Sequence, residues 1–552
     1  MRPEIVPARC GIPTLRWGRV FLHSSYDPRR EATRFVDAAL SGKGTPGATV
    51  PSVLLLLGAG MGYVSEALGR RFPGVPQIAL FYTKAVFDCA IHRPAASWHP
   101  ESGVPLETFL HSALAAADLS GLTLLEWPPC ASACPEESRT AAAAVRRIIR
   151  EISGSRTTIA AVGRLWIRNT IFNFLGTERI IVGDLCSRNR PTIIAASGPS
   201  LELCVPLLRS VASGVNLWAL PSSVPVLLRR GIRPDLVVVT DPGFSSLLHL
   251  REATGRDIRI AMPLSAARGA PRAAAGIHLL EQPNFFERRL LRSAGVDSTA
   301  IPALGTVAAT ALELARTSCD REIVFCGLDL GYRDVQSHAR FSVFDSILHE
   351  RSSRLQPYDS MSYTDASDRA DEKRDGYRTS FALDTYAGWF ESVNQGSDPR
   401  IFRLFPSARP LPSIPAISPG ELRRRVGSER RDPSTDRAFA STFPDLETRV
   451  HLVRTMLCDW ARRIQLARAA GDPAKGGTWT GDLSMGDSLL RELTYFISHS
   501  RMTEIQRLRA RVVTDAGRSE LGERLQTMWR EQSEFVDLLL SKLDRASPVH
   551  TP

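Results

Sequence analysis

IIAASGPSLE, residues 193–202, runs from an apolar stretch through a Gly-Pro-Ser corner into a segment with helical spacing. An apolar run, a tight corner and a helix start in that order predict the opening of a βα unit. The pattern recurs outward from it. Thr192–Ala196, Val215–Leu220, Leu236–Thr240, Ile258–Ala261 and Ile323–Cys326 read as short buried strands, with helical segments between most of them. Alternation of this kind predicts a mainly parallel, doubly wound sheet with helices on both faces. Ligands of such sheets bind at the carboxyl ends of the strands, so the polar residues there are the candidates for chemistry.

At the first corner, Gly198 permits close backbone approach, Pro199 suits the first helical position, and Ser200 lies among the N–H groups of the helix start. Such a start seats a phosphate, and it is equally served by Ser200 as a plain helix cap. In LVVVTDPGF, Asp241 follows four apolar residues, where a carboxylate binds ribose hydroxyls, holds a metal ion or caps the next helix. ALGTVAATALELA places Gly305 and Thr306 at a second helix start with the same anion-binding potential. The densest stretch is IVFCGLDLGYRDVQSHARF. There Gly327 opens the turn after a strand, and Asp329, Tyr332, Asp334, Ser337 and His338 follow. An imidazole on such a loop suits a base that deprotonates a hydroxyl acceptor, and Asp329 is the second candidate.

An earlier segment repeats the strand, glycine and helix order. VLLLLGAGMGYVSEALGRRF gives a strand over Val53–Leu57, glycines at 58, 60 and 62, and a helix from about Tyr63. It predicts an N-terminal Rossmann-like domain over 1–130. The following strand, QIALFYT, ends without the acid that would take ribose hydroxyls, so the glycines serve either a ligand or close strand–helix packing. Residues 131–190 read as a helical connector, 191–410 as the central α/β domain, 411–442 as a proline- and charge-rich linker, and 443–552 as a helical C-terminal domain. Within the central domain, Ser342 to Ser380 loses periodicity and reads as a long polar loop.

Composition bounds the function. Hydrophobic residues at 43% and charged residues at 23% are ordinary for a folded, soluble chain of 552 residues. The net charge of +11 comes from arginines spread along the chain, with only five lysines, so it marks no nucleic-acid stripe. The nine cysteines are scattered and form neither a disulfide ladder nor a zinc-finger spacing. No run of about 20 apolar residues predicts a membrane span, and a cytoplasmic location is expected.

These motifs together resemble the bacterial motility accessory factor family, flagellin glycosyltransferase-like proteins that share a domain with archaeal 6-hydroxymethylpterin diphosphokinase. The resemblance covers most of residues 18–410 and includes LHSSYDPRREATRFVD (22–37), LGAGMGY (57–63), GRLWIRNTIFNFLG (163–176), GPSLE, TDP, GTVAATALELA and GLDLGYRDVQSHA. The family's usual Gly-Ser-Val is Gly-Thr-Val here, which keeps the hydroxyl. The resemblance implies a central domain similar to sialyltransferases. It also implies transfer of a nonulosonic acid from a CMP-activated sugar to Ser or Thr hydroxyls of flagellin. On that reading Gly198, Pro199, Ser200, Asp241, Gly305, Thr306 and Gly327 belong to the nucleotide-phosphate site, and Asp329 and His338 face the reacting centre. No cofactor is firmly implied. Two alternatives stand beside it: a diphosphokinase acting on a pterin with ATP, with magnesium between Asp241 and Asp329, and a non-catalytic flagellin-binding assembly factor.

Overall fold

The computed structural model describes residues 3–41, 51–114, 119–181, 183–369, 371–374, 377–393, 398–404, 407, 409–426, 439–440, 443–470, 488–509 and 515–546. Much of the charge-rich stretch of the expected linker lies outside these residues. Contacts divide the chain into two compact units, one of residues 1–161 and 464–534, the other of 162–463 and 535–552.

In the first unit, β1 (Val53–Leu57), β2 (Gln77–Leu80), β3 (Ala96–Trp98) and β4 (Leu122–Glu126) form a parallel sheet in the order β3-β2-β1-β4. All five residues of β1 are buried, as expected of a central parallel strand covered on both faces. Its glycine turn leads into α1 (Tyr63–Arg71). The turn is filled by protein: the buried His23 accepts the Met61 N–H at Nε2 (2.9 Å), and a Cβ on Gly60 would lie 2.4 Å from that nitrogen. Burial holds the His23 pKa down at about 3, so the ring is neutral and free to accept. These glycines serve close packing, against His23, Tyr82, Cys130 and His92 instead of between the strand and its own helix.

The 42-residue helix α2 (Pro135–Gly176) leads into the second unit. There β5 (Ile180–Ile181), β6 (Thr192–Ala195), β7 (Asn216–Ala219), β8 (Leu236–Val238), β9 (Arg259–Met262), β10 (Gly276–Glu281), β11 (Thr299–Ala300), β12 (Ile323–Cys326), β13 (Ile401–Leu404), β14 (Ala416–Ile417) and β15 (Phe439–Ala440) build one sheet. Its order is β14-β13-β12-β6-β7-β8-β9-β10-β5-β15, with β11 against β10. All pairings are parallel except β15 on β5. The doubly wound α/β class expected from the sequence is borne out. Ile194, Trp218 and Phe325 are fully buried in its core, which explains why these strands read as unbroken apolar runs.

Chain order and sheet order together locate the ligand edge. From β6 the chain steps outward through β7, β8, β9 and β10, then returns through α6 (Val307–Ser318) to β12 on the other side of β6. The strand order therefore reverses between β6 and β12. In open α/β sheets, ligands bind beyond the carboxyl ends of the strands at such a reversal, which makes the turns after β6 and β12 the place to look.

One expectation is corrected. The segment read as a long polar loop holds α7 (Val343–Arg351), α8 (Tyr358–Arg369) and a pairing of Asp371–Arg374 with Tyr377–Thr379. None of the residues of α7 is buried, so it shows no apolar stripe to reveal it. Polar contacts hold it instead: Ser342 Oγ caps Asp345 N–H, and the Asp345 carboxylate accepts from Phe341 N–H (2.8 Å) and the Tyr358 hydroxyl (2.6 Å).

Candidate functional site at the β6–β12 switch point

The corner after β6 and the turn after β12 are interlocked. Gly198 N–H donates to Gly327 C=O (2.8 Å), and Ser200 N–H donates to Asp329 Oδ2 (2.7 Å). A Cβ at Gly198 would lie 2.2 Å from that carboxylate oxygen and 2.5 Å from the Gly327 carbonyl. Gly327 has φ +70° and presses on the Ala196 carbonyl, where a Cβ would approach to 2.4 Å. Both glycines are therefore demanded by contact between two chain segments 129 residues apart.

Asp329, 2% exposed, takes the place foreseen for a phosphate at the start of α3 (Leu201–Val211). The remaining first-turn donors are also engaged: Leu201 N–H with Gly198 C=O, Glu202 N–H with Pro199 C=O and Leu203 N–H with Ser200 C=O. A phosphate at this corner would meet a carboxylate, and the backbone N–H groups of the helix start are already taken, which runs against the expectation for Gly198, Pro199 and Ser200. Neither does Ser200 cap the helix with its side chain; its buried Oγ has no hydrogen-bond partner. The oriented group is Asp329, and the helix start that holds it favours a negative charge.

The loop from Asp329 arches back over α3. Ala339 N–H donates to Ser197 C=O (2.7 Å), Arg340 N–H to Glu202 Oε1 (2.7 Å) and Gln336 Nε2 to the same oxygen (2.8 Å). These ties hold His338 at the rim, half-buried. Its Nδ1 lies 3.0 Å from Ser337 Oγ, and its ring packs on Phe344 with centroids 4.6 Å apart. His249, on α4 (Phe244–Leu250) after β8, packs on the same phenylalanine at 5.1 Å. Burial, then the neighbouring His338, lowers the His249 pKa to about 4, so it is a neutral imidazole near pH 7. The loops after β8 and β12 thus converge on one aromatic cluster.

The other expected residues divide. Thr306 caps α6, its Oγ1 accepting from Ala309 N–H (2.9 Å). Among the described residues no acceptor is seen for the Val307 and Ala308 N–H groups at N1 and N2, so this helix start, unlike that of α3, keeps backbone donors suited to an anion. Gly305 is exposed, with nothing within 4 Å of a Cβ added there, so nothing in the fold requires a glycine. Asp241 is exposed and turns inward on its own chain, Oδ1 accepting from Gly243 N–H (2.6 Å). β8 and β12 are three strand spacings apart, about 14 Å, whereas two ligands of one magnesium ion are within about 4 Å of each other. The two carboxylates are therefore not brought to a common ion. Among the described residues no group of three or more His, Cys, Asp or Glu is placed to hold a metal.

Sequence reasoning passed over three groups. Arg403 lies in β13 beside Phe325 of β12, close enough to Asp329 for attraction between the charges, while burial pulls its pKa below the usual guanidinium range. An arginine inside the apolar IFRLF was the available signal. Ser222, after β7, shares a hydrogen bond with Ser197 Oγ (2.7 Å), and His249 sits in the short helix FSSLLHL; neither had a pattern to distinguish it.

With this geometry in hand, comparison with known proteins shows what the chain is similar to. Residues 169–335 match the family model described as 6-hydroxymethylpterin diphosphokinase MptE-like. The chain resembles that family over this segment. It also shares its fold with a structure described as MAf glycosyltransferase from Magnetospirillum magneticum AMB-1, at a TM-score of 0.59 and 12% identity, covering 99% of this chain and 92% of that one. An uncharacterized protein of Treponema pallidum (strain Nichols) is 24% identical over 319 residues, 57% of this chain and 66% of that protein, just under two thirds of its length. The resemblance to motility accessory factor proteins of MptE-like type is thereby borne out. The MptE-like match ends three residues before His338. Among the described residues no helix is long and apolar enough to cross a membrane.

Proposed function

We propose that this protein is a glycosyltransferase that moves a nonulosonic acid from a CMP-activated sugar to Ser or Thr hydroxyls of flagellin. The observation that carries the reading is the switch-point rim, where a buried carboxylate and a half-buried imidazole stand on one stapled loop. Its fold is that of a protein described as a glycosyltransferase.

In the proposed mechanism the bond between sugar and CMP breaks and negative charge grows on the leaving phosphate. The Val307 and Ala308 N–H groups at the start of α6 are fixed donors suited to stabilise it. His338 takes the acceptor hydroxyl proton as the new glycosidic bond forms. Asp329 is held in place by the Ser200 N–H, with the charge of Arg403 in its field, and in this mechanism its negative charge favours the imidazolium that results. Incubation with CMP-nonulosonate and flagellin is expected to release CMP and raise the mass of flagellin by one sugar residue per site. Folded protein that gives neither product with the matching donor overturns the reading.

The description of the matched family favours a second reading, a diphosphokinase acting on a pterin alcohol with ATP and magnesium. It predicts AMP in place of CMP, so analysis of the released nucleotide separates the two.

A further inference from the structure

A second concavity lies in the same unit, on the other side of α4. It encloses about 880 Å³ between the last turns of α2, helix α4 and the segment that follows β9. Its floor is apolar, from Phe172, Leu175, Leu247 and Leu248, and its edge carries Arg251, Arg268 and Arg272. All three arginines are exposed, and none has a carboxylate within ion-pair distance among the described residues.

The arginines are held where they stand. Asn173 Nδ2 donates to the carbonyls of Leu264 and Ala266 (both 2.9 Å), and its Oδ1 accepts from Gly269 N–H (3.1 Å). Glu287, on α5 (Phe285–Ser293), accepts from Leu264 N–H and from Ser265 Oγ (2.9 Å). Between these two anchors Arg268 lies flat over Phe172, its guanidinium carbon 3.9 Å from the ring centroid. Burial, then the charges of Arg168 and Arg272, lowers its pKa from the ordinary guanidinium value. Arg168, outside the lining, has a buried Nε with no hydrogen-bond partner among the described residues. Like charges gathered without a counter-ion cost free energy that an incoming anion relieves.

We propose that this cavity binds a small amphipathic anion, a phosphate- or carboxylate-headed molecule whose apolar body lies on the leucine and phenylalanine floor while its head meets Arg268 and Arg272. The volume falls within the range of small-molecule sites, about 300–1,000 Å³, and the lining has the usual form of a mostly apolar wall with a few convergent polar groups. A concave site of this kind suits a free molecule better than a membrane surface. Helix α4 forms a wall of the cavity through Phe244, Leu247 and Leu248, while its His249 packs towards His338 through Phe344. Occupancy therefore bears on the helix that supports the rim. The proposal does not depend on the transferase reading.

Calorimetric titration of the full chain with octyl phosphate, octanoate, octanol and inorganic phosphate tests it. Octyl phosphate and octanoate are expected to compete for one site. Octanol, without the charge, and inorganic phosphate, without the chain, are expected to bind at least tenfold more weakly. Replacing Arg268 and Arg272 together by alanine is expected to weaken octyl phosphate at least tenfold with the melting temperature unchanged, because both side chains are exposed. Phe244→Ala, also at an exposed position, serves as a second folded variant and weakens the octyl probes but not inorganic phosphate. Octanol or phosphate binding as tightly as octyl phosphate, an unaffected arginine variant, or no binding of either octyl anion overturns the proposal.

Discussion

Replacing Gly198 by alanine puts a methyl group into the contact that joins the two halves of the sheet. The added Cβ would sit 2.2 Å from Asp329 Oδ2, 2.5 Å from the Gly327 carbonyl and 2.8 Å from Asp329 Cβ. Ordinary carbon–oxygen contacts are near 3.3 Å, so the carboxylate must retreat by about 1 Å. Overpacking of this kind costs about 1–3 kcal/mol. A 1 Å retreat also breaks the 2.7 Å bond from Ser200 N–H, and a hydrogen bond to a charged group contributes about 1.5–3 kcal/mol. The two costs overlap, so we expect a loss on the order of 3 kcal/mol, or roughly 4–5 °C in melting temperature for a unit of this size. Differential scanning fluorimetry reads the shift, with Gly305→Ala as the contrast. That Cβ meets nothing within 4 Å, so its stability should stay within about 0.5 kcal/mol of the parent. The displaced Asp329 should also lower transfer to flagellin. A Gly198→Ala protein as stable and as active as the parent would refute the reasoning about this contact.

Other perturbations separate catalysis from support. His338→Ala is expected to reduce transfer by about 10²–10⁴-fold, the usual range for a lost general base, with little change in melting temperature; quantifying released CMP checks it. Asn173→Ala strands the buried Leu264 and Ala266 carbonyls and should destabilise the protein by about 1–3 kcal/mol in a denaturant titration. Glu287 is fully buried, and desolvation raises its pKa from the usual 4.5 to about 8. Between those values the folded protein holds a proton that the unfolded chain releases. Its contribution to stability is therefore greatest below pH 4.5 and declines as the pH rises towards 8. In melting curves, Glu287→Gln should remove that decline, so the difference between variant and parent should shift in the variant's favour from pH 5 to pH 8. Parallel curves would show that Glu287 does not keep its proton.

How much of this could be read from the chain follows from the range of the interactions. The strand at Ile193–Ala195, the Gly-Pro-Ser corner and the following helix are local, and the buried parallel strands announce themselves as apolar runs, so the doubly wound sheet was legible. That the corner would hold a carboxylate instead of a phosphate was not. Asp329 approaches Ser200 across 129 residues, and no local pattern encodes that distance. Asp241 looked like a ligand because it ends a strand, yet an aspartate two residues before a free N–H readily folds onto it. The helix over 343–351 was missed for a different reason: with no buried face, its stability lies in its cap and in Asp345, which carry no period. The arginine edge beside α4 was invisible because Arg251 stands on one segment and Arg268 and Arg272 on another, and only the fold assembles them.

The central claim is that the nucleotide sugar is handled at the reversal between β6 and β12. Backbone hydrogen exchange with and without CMP tests it most directly. The account predicts slowed exchange at Val307–Ala309 and along residues 329–340, with the glycine turn at 58–62 unchanged. Protection confined to that earlier turn, or absent at saturating CMP from the helix start and the loop alike, contradicts it.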